Sequence, residues 1–418
     1  MSEAERAHPV PRYAWLVFAL TFGLLISDYM ARQVLNAVFP MLKAEWALSD
    51  GQLGLLSGVV ALMVGLLTFP LSLLADRLGR VRSLTAMAIL WSLATLLCGV
   101  ARNYDEMLVG RLLVGVGEAA YGSVGIAVVI SVFPKRLRGT LSAAFMAGGL
   151  LGQVLGVGIG GAVAGSHGWR AAFVAIALAG LALGILYPLL VKTHRLVATA
   201  DAAGLEALPV ATSSFPKIST LFEGRAVKCA YIGSGLQLFV MGAIPAWLPS
   251  YFSRYYGLSV AKSASSAALF LAIAGVGMIL CGSLSDRLAK RPDQRASLAI
   301  GYCLGCAALL SASLATGPGP LQLVLLGAAL FIAAGTTGPA GAMVAGLTPA
   351  AIHGTAFATL TLANNFLGLA PGPIVTGWLA DRIGLLEALR WLPLASIAAA
   401  VVFLVARLSP RTINLPTE

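Results

Sequence analysis

Two acidic and two basic side chains interrupt stretches that are otherwise apolar: Asp28 and Arg32 in the first such run, Arg111 and Glu118 in the fourth. A charge at bilayer depth costs about 2.5–3.5 kcal/mol on insertion scales, so it persists where it faces a partner or a water-filled cavity. The chemistry open to such a set is proton exchange at the carboxylates and anion binding at the arginines. Bond-making chemistry has no support, because the chain carries no HExxH, GxSxG or Walker loop and no histidine beside a nucleophile. The same absence argues against an enzyme and against ATP-driven transport.

The elements that must position these groups follow from composition. With 58% hydrophobic and 11% charged residues and a mean hydropathy of +0.88, 418 residues have too little polar surface for a soluble globule. Crossing about 30 Å of hydrocarbon takes about 20 apolar residues as helix. Such runs fall near 13–40, 51–75, 81–101, 106–134, 139–165 and 170–192. They fall again near 226–253, 261–284, 296–315, 320–348, 354–380 and 387–407. The expectation is an all-α integral membrane protein of twelve helices, Gly-rich as packed membrane helices are. The alternating strands of an outer-membrane barrel are missing from the pattern.

Basic residues set the orientation, since short cytoplasmic loops retain Lys and Arg. Arg77, Arg80 and Arg82 crowd one even-numbered loop, and Lys135, Arg136 and Arg138 crowd the next. Arg287, Lys290, Arg291 and Arg295 occupy the corresponding loop of the second half. Both termini are therefore expected in the cytoplasm and the protein in the inner (cytoplasmic) membrane. Topology and anionic lipid account for the net charge of +11, which removes the case for nucleic acid. The polar leader Met1–Arg12 runs into an apolar stretch too long for an export signal, so the first helix is expected to be a retained anchor. Cys303-Leu304-Gly305-Cys306 is formally a CxxC, but inside an apolar run its cysteines read as buried small residues. His8, His167, His194 and His353 fall at loops or termini and suggest no metal site. No cofactor is expected.

The halves echo each other at an offset of about 210–215 residues. Ser72–Arg80 (SLLADRLGR) pairs with Gly282–Arg291 (GSLSDRLAKR), matching Asp76 to Asp286 and Arg77 to Arg287. Pro134 to Gly139-Thr140 recurs at the same spacing as Pro349 to Gly354-Thr355. Duplication divides the chain into an N-terminal six-helix bundle (1–192), a polar cytoplasmic linker (193–225) and a C-terminal bundle (226–418). Ile218, Leu221 and Phe222 suggest a short amphipathic turn in the linker.

These motifs resemble the major facilitator superfamily over nearly the whole chain. The G-x-L-x-D-R-x-G-R loop is present with Ser72 in place of its first Gly, and Arg111 and Gly115 match the R-x-x-x-G pattern of helix four. Gly152-x-x-x-Gly156 with Gly160-Gly161 is similar to the antiporter motif of helix five, with Val157 where Pro is usual. Tyr29–Leu35 (YMARQVL), Leu48–Gly58 (LSDGQLGLLSG), Gly115–Ala119 (GVGEA) and Gly168–Phe173 (GWRAAF) resemble the Spinster branch, whose members are associated with sphingolipid or lysolipid transport. The resemblance implies two pseudo-symmetric six-helix bundles working by alternating access. Spinster-like proteins usually read Asp-Arg where this chain has Ala31-Arg32. Asp28 lies three residues earlier, about 4.5 Å along the axis and roughly 60° around it, on the same broad face.

Counting inward at about 1.5 Å per residue puts Asp28 and Glu118 near mid-membrane, with Arg32 and Arg111 nearer the outer surface. All four can line one cavity if helices one and four face each other, as the resemblance implies. Loss of water favours the neutral form of a carboxylate and a guanidinium favours the ionised form, so such a group can exchange a proton as a cavity opens. Glu118 is expected to carry the proton, Asp28 to assist or replace it, and Arg32 to bind the carboxylate or an anionic substrate head. An arginine neutralised by one partner at a time couples proton and substrate occupancy. An ion-pair network that only pins helix one to helix four is the alternative.

At the cytoplasmic ends, Asp76, Arg77, Arg80, Asp286 and Arg287 are expected to act as gate latches. The second half offers Gln237, Trp247, Tyr251, Thr336, Thr337, Asn364 and Asn365 as polar or aromatic cavity candidates, and Tyr29 sits beside Asp28. A cavity charged on one wall and apolar on the other suits an amphiphile or a hydrophobic organic ion. Pro245 and Pro249, with Pro371 and Pro373, mark bend points. The expected partners are protons, membrane lipids and a small-molecule or lipid substrate. Each chain holds a complete path, so a monomer suffices. A multidrug or small organic ion antiporter, and an uncoupled lipid scramblase or channel, are the competing readings.

Overall fold

The computed structural model describes residues 11–196, 221–222, 224–349 and 352–409. Most of the expected linker, Ile218 of its amphipathic turn, and residues 1–10 of the leader lie outside the described residues. In the first half the helices are α1 (Arg12–Trp46), α2 (Asp50–Leu78), α3 (Arg80–Val100), α4 (Tyr104–Ser131), α5 (Lys135–His167) and α6 (Trp169–Leu190). In the second half they are α7 (Arg225–Tyr256), α8 (Val260–Leu288), α9 (Pro292–Ala315), α10 (Pro320–Leu347), α11 (His353–Asn364 and Pro371–Ile383) and α12 (Leu385–Leu408).

Eleven of these are long and apolar enough to cross a membrane. The twelfth, α11, is divided by a π-helical turn at Asn365–Leu369, so neither of its α-helical pieces is long enough alone. The helices present large apolar side chains outward, among them Leu66, Leu189, Leu269, Val324 and Leu408. That inversion of a soluble surface suits hydrocarbon, where a helix satisfies its own backbone.

Several helices are interrupted where sequence gave little warning. Helix α4 stops at Glu118 and resumes at Tyr121, leaving Ala119–Ala120 as a break, and the Thr68 hydroxyl donates to the Ala119 carbonyl at 2.7 Å. The corresponding helix of the second half, α10, carries a 3-10 turn at Ala334–Thr336. Duplication also shows in the connections. A single glycine in the left-handed half of backbone space joins α5 to α6 (Gly168, φ 85°) and α11 to α12 (Gly384, φ 86°), where an L side chain would be strained. Helix α7 runs unbroken through Pro245 and Pro249, whereas α11 is interrupted just before Pro371.

Contacts divide the described residues into two units, and the division crosses α1 and α2. One unit takes the described residues of Met1–Leu35 and Leu67–Ser213, and the other those of Asn36–Leu66 and Ser214–Glu418. The first unit closes around fully buried Trp91, Tyr121, Phe133, Phe145, Phe173 and Tyr187. The second has a core of Val227, Tyr231, Cys303, Met343 and Phe403 among its neighbours.

Candidate functional site

Helix α4 begins on a polar cap. Asn103 accepts the Glu106 N–H through its side chain at 2.9 Å, and the Glu106 carboxylate accepts the Arg102 N–H at 2.9 Å. This satisfies donors that a helix start leaves open and fixes where Arg111 and Glu118 fall. Close packing holds α4 to α3, since a Cβ at Gly117 would come 2.7 Å from the Trp91 nitrogen. Helix α1 is seated by the glycines of α5 in the same way. A Cβ at Gly152 would meet the Ile26 carbonyl at 2.6 Å, and one at Gly156 would meet the Met30 Cα at 2.7 Å. The G-x-x-x-G motif thus gives α1 a backbone-to-backbone seat beside Asp28 and Arg32. On another face of α1, Ser27 lies against Gly180 of α6.

The four charges come together in the first unit, in unequal roles. Arg32 donates to one oxygen of Glu118, from Nε at 3.0 Å and Nη2 at 2.9 Å. Glu118 is buried, and its other oxygen, Oε1, has no hydrogen-bond partner among the described residues. Asp28 is equally buried, its Oδ1 is likewise without a partner, and its carboxyl lies within interaction distance of Glu118. Arg111 is fully buried and donates to main-chain carbonyls of α1, Nη1 to Ala31 and Nη2 to Arg32, both at 3.0 Å. It fastens α4 to α1 at the turn that carries Arg32. The Arg32 guanidinium also sits 5.2 Å from the ring centre of Tyr29, within cation–π range. Its side chain keeps 17% exposure where that of Glu118 has none. Arg32 is therefore the more accessible member of the pair.

The second unit holds the polar candidates of the second half. Gln237 is fully buried beside the Cys306 thiol. Trp247 is also fully buried, donates its indole N–H to the Pro373 carbonyl at 3.2 Å, and packs on Phe39 at 5.2 Å between ring centres. Asn364 accepts from the Ser234 hydroxyl at 2.7 Å. Tyr251 donates to Gln322, Thr336 and Thr337 turn back on the carbonyls of Ala333 and Ala334, and Asn365 opens the π-turn of α11. Among the described residues, Asp76, Arg77, Asp286 and Arg287 are exposed, Arg80 is half-buried, and none of the five makes an ion pair.

A second cluster of charge lies in the second unit, and sequence reasoning missed it. Asp50, at the start of α2, receives Lys43 Nζ at 2.6 Å on Oδ1 and Arg254 Nη1 at 2.7 Å on Oδ2, with Arg254 Nη2 also on Oδ1. Asp381 of α11 accepts the backbone N–H groups of Asp50 at 2.6 Å and Gly51 at 2.8 Å. One signal was available. Ala380-Asp381-Arg382 repeats the Ala75-Asp76-Arg77 of the loop motif, in a place where no latch was expected.

Comparison with known proteins gives a consistent family. The model of the Major Facilitator Superfamily matches residues 21–370. The probable L-galactonate transporter of Escherichia coli (strain K12) is 26% identical over 391 residues, covering 90% of this chain and 85% of that protein. The gallate transporter of Pseudomonas putida is 28% identical over 423 residues, covering 95% and 92%. Among solved structures, the inward-facing, unoccupied form of a bacterial homolog to the human lysosomal transporter Spinster superposes with a TM-score of 0.82 at 20% identity, covering 94% of this chain and 97% of that one.

Proposed function

The chain belongs to the major facilitator superfamily, and on that premise we propose that it is a proton-coupled secondary transporter whose cargo is an organic anion with an apolar body. The observation that carries this reading is the bond from a partly exposed Arg32 to a buried Glu118, with a second carboxyl, Asp28, alongside and short of a partner. One proton held between Asp28 and Glu118 would serve both of their open oxygens. Protonation of Glu118 would release Arg32 for an acid group of the cargo, and departure of the cargo would return Arg32 to Glu118. Proton and anion thereby exclude or invite each other through one guanidinium. Arg111, committed to main-chain carbonyls, holds the frame in which the exchange occurs.

The resemblance to the Spinster branch supports a lysolipid or other amphiphile. The relatives named for L-galactonate and gallate support a smaller carboxylate, and Arg32 suits the acid group of either. Both readings share the same orientation, with termini in the cytoplasm. Asp76, Arg77, Arg80, Asp286 and Arg287 would then latch the cytoplasmic end when it closes. Gln237, Trp247 and Asn364 would contribute to the wall of the cargo path.

Purified protein in liposomes under an imposed pH difference tests the reading. Accumulation of lysophosphatidate or gallate against its gradient, abolished by a protonophore, is the expected result. Accumulation of a cationic dye alone would replace this reading with a multidrug exchanger, and lipid equilibration at any pH would replace it with a scramblase.

A further inference from the structure

Helix α2 begins with a capping box. The Ser49 hydroxyl accepts the Gln52 N–H at 3.1 Å, and the Gln52 side chain accepts the Ser49 N–H at 2.9 Å. The Leu53 N–H takes up the ordinary helical bond to Ser49. That leaves the N–H groups of Asp50 and Gly51, and both go to the carboxylate of Asp381, 331 and 330 residues away in sequence. The first turn of α2 is completed by α11.

Below this cap the glycines of α2 pack directly on the backbone and side chains of α11. A Cβ added at Gly51 would strike Asp381, one at Gly54 the Pro373 carbonyl, one at Gly58 the Ala370 carbonyl, and one at Gly65 the side chains of Asn365 and Phe366. The buried Asp50 carboxylate is held from α7 by Arg254 and from α1 by Lys43. Lys43 and Asp50 lie on neighbouring α1 and α2, and their charges cancel. Arg254 and Asp381 lie on α7 and α11, and their formal charges sum to zero. Parting the two pairs strands no net charge on either side, so the joint can break and re-form at the cost of hydrogen bonds rather than of an isolated buried ion.

We propose that the Asp50–Arg254 ion pair and the capping of α2 by Asp381 form a releasable latch that sets how often the transporter opens on the side opposite its basic loops. The inference rests on alternating access as read above, and on neither proton coupling nor any particular cargo. Asp381 works as a positioning residue for α2, and Arg254 as the tie to α7. Among the described residues the five basic-side latch candidates form no ion pair, whereas the Asp50 end holds one.

The test is hydrogen–deuterium exchange on the full chain in lipid nanodiscs, with no cargo and no pH gradient. A membrane-impermeant maleimide provides a parallel readout at Ser57→Cys, since Ser57 is half-buried and the five native cysteines are buried. Asp381→Asn is expected to raise exchange across residues 50–58 and labelling at position 57 about tenfold, the effect of losing a charge-assisted bond. The double variant Asp50→Asn/Arg254→Gln, which removes both members of the ion pair and leaves only the partly exposed Lys43 without its carboxylate, is expected to do the same. Asp105→Asn, an exposed acid of the α3–α4 side, should leave both readouts unchanged. Unchanged exchange in both latch variants, or an equal rise in Asp105→Asn, would overturn the proposal. A rise confined to the latch variants in a protein that shows no proton-driven accumulation would uphold the latch and remove only the coupling.

Discussion

Arg32 places two N–H groups on a single oxygen of Glu118, so the ion pair occupies half of the carboxylate, and Oε1 accepts no N–H among the described residues while the Asp28 carboxyl lies alongside. A pair built for stability alone would be expected to use both oxygens, as the bidentate grip of Arg254 on Asp50 does. Under the proposed function, the half-used carboxylate with Asp28 beside it is the exchangeable site, in contrast to a fixed brace.

Arg111 is the fixed brace. Replacing it with Gln removes two charge-assisted bonds to α1, worth about 1.5–3 kcal/mol each at the upper end of what such bonds contribute. Arg111→Lys should restore little, because a point charge cannot reach both carbonyls in the planar fork that the guanidinium offers. Thermal unfolding in detergent is the check, with both variants expected to melt below the parent and Arg111→Lys close to Arg111→Gln.

The glycine seat under α1 predicts an effect of size rather than of charge. Gly156→Val would drive a side chain into Met30, whose Cα would lie 2.7 Å from the new Cβ, and should cost about 1–3 kcal/mol through overpacking. Since α1 must shift to admit it, transport should fall further than stability does. Gly139→Ala, at a position where a Cβ meets nothing within 4 Å, should leave both unchanged. Parallel flux and melting measurements separate the two effects.

Ser49→Ala should lower the local stability of the first turn of α2 by about 1 kcal/mol, the usual value of a helix cap. Exchange at residues 50–53 should rise less than in Asp381→Asn, because Asp381 still holds two of the open donors. An equal rise in the two variants would mean that the intrahelical cap, and not α11, secures the turn.

Much of this was legible in the sequence, for physical reasons that also mark where legibility stopped. Apolar runs mark the helices, and charges in otherwise apolar runs single out Asp28, Arg32, Arg111 and Glu118. The role of Arg111 was not legible, because every residue of α1 offers a carbonyl and nothing in the sequence singles out Ala31 and Arg32. The break at Ala119–Ala120 runs against propensity, since alanine is the best helix former and only the tertiary bond from Thr68 marks the site. Of the proline pairs expected to mark bends, Pro245 and Pro249 lie in α7, which stays one helix, while Pro371 and Pro373 follow directly on the interruption of α11 at Asn365–Leu369. Nothing in the sequence singles out Asp50, because its partners at 204 and 331 residues' distance leave no local trace.

The central claim is that Glu118 carries the proton whose presence frees Arg32. Its most direct test is proton movement into liposomes containing a pH-sensitive dye, started by adding the cargo anion, with parent protein, Glu118→Gln and Asp28→Asn compared at equal reconstitution. The account predicts cargo-driven proton flux in the parent, at least a tenfold loss in Glu118→Gln, and a partial loss in Asp28→Asn, while cargo binding to Glu118→Gln persists. Full proton flux in Glu118→Gln would contradict it.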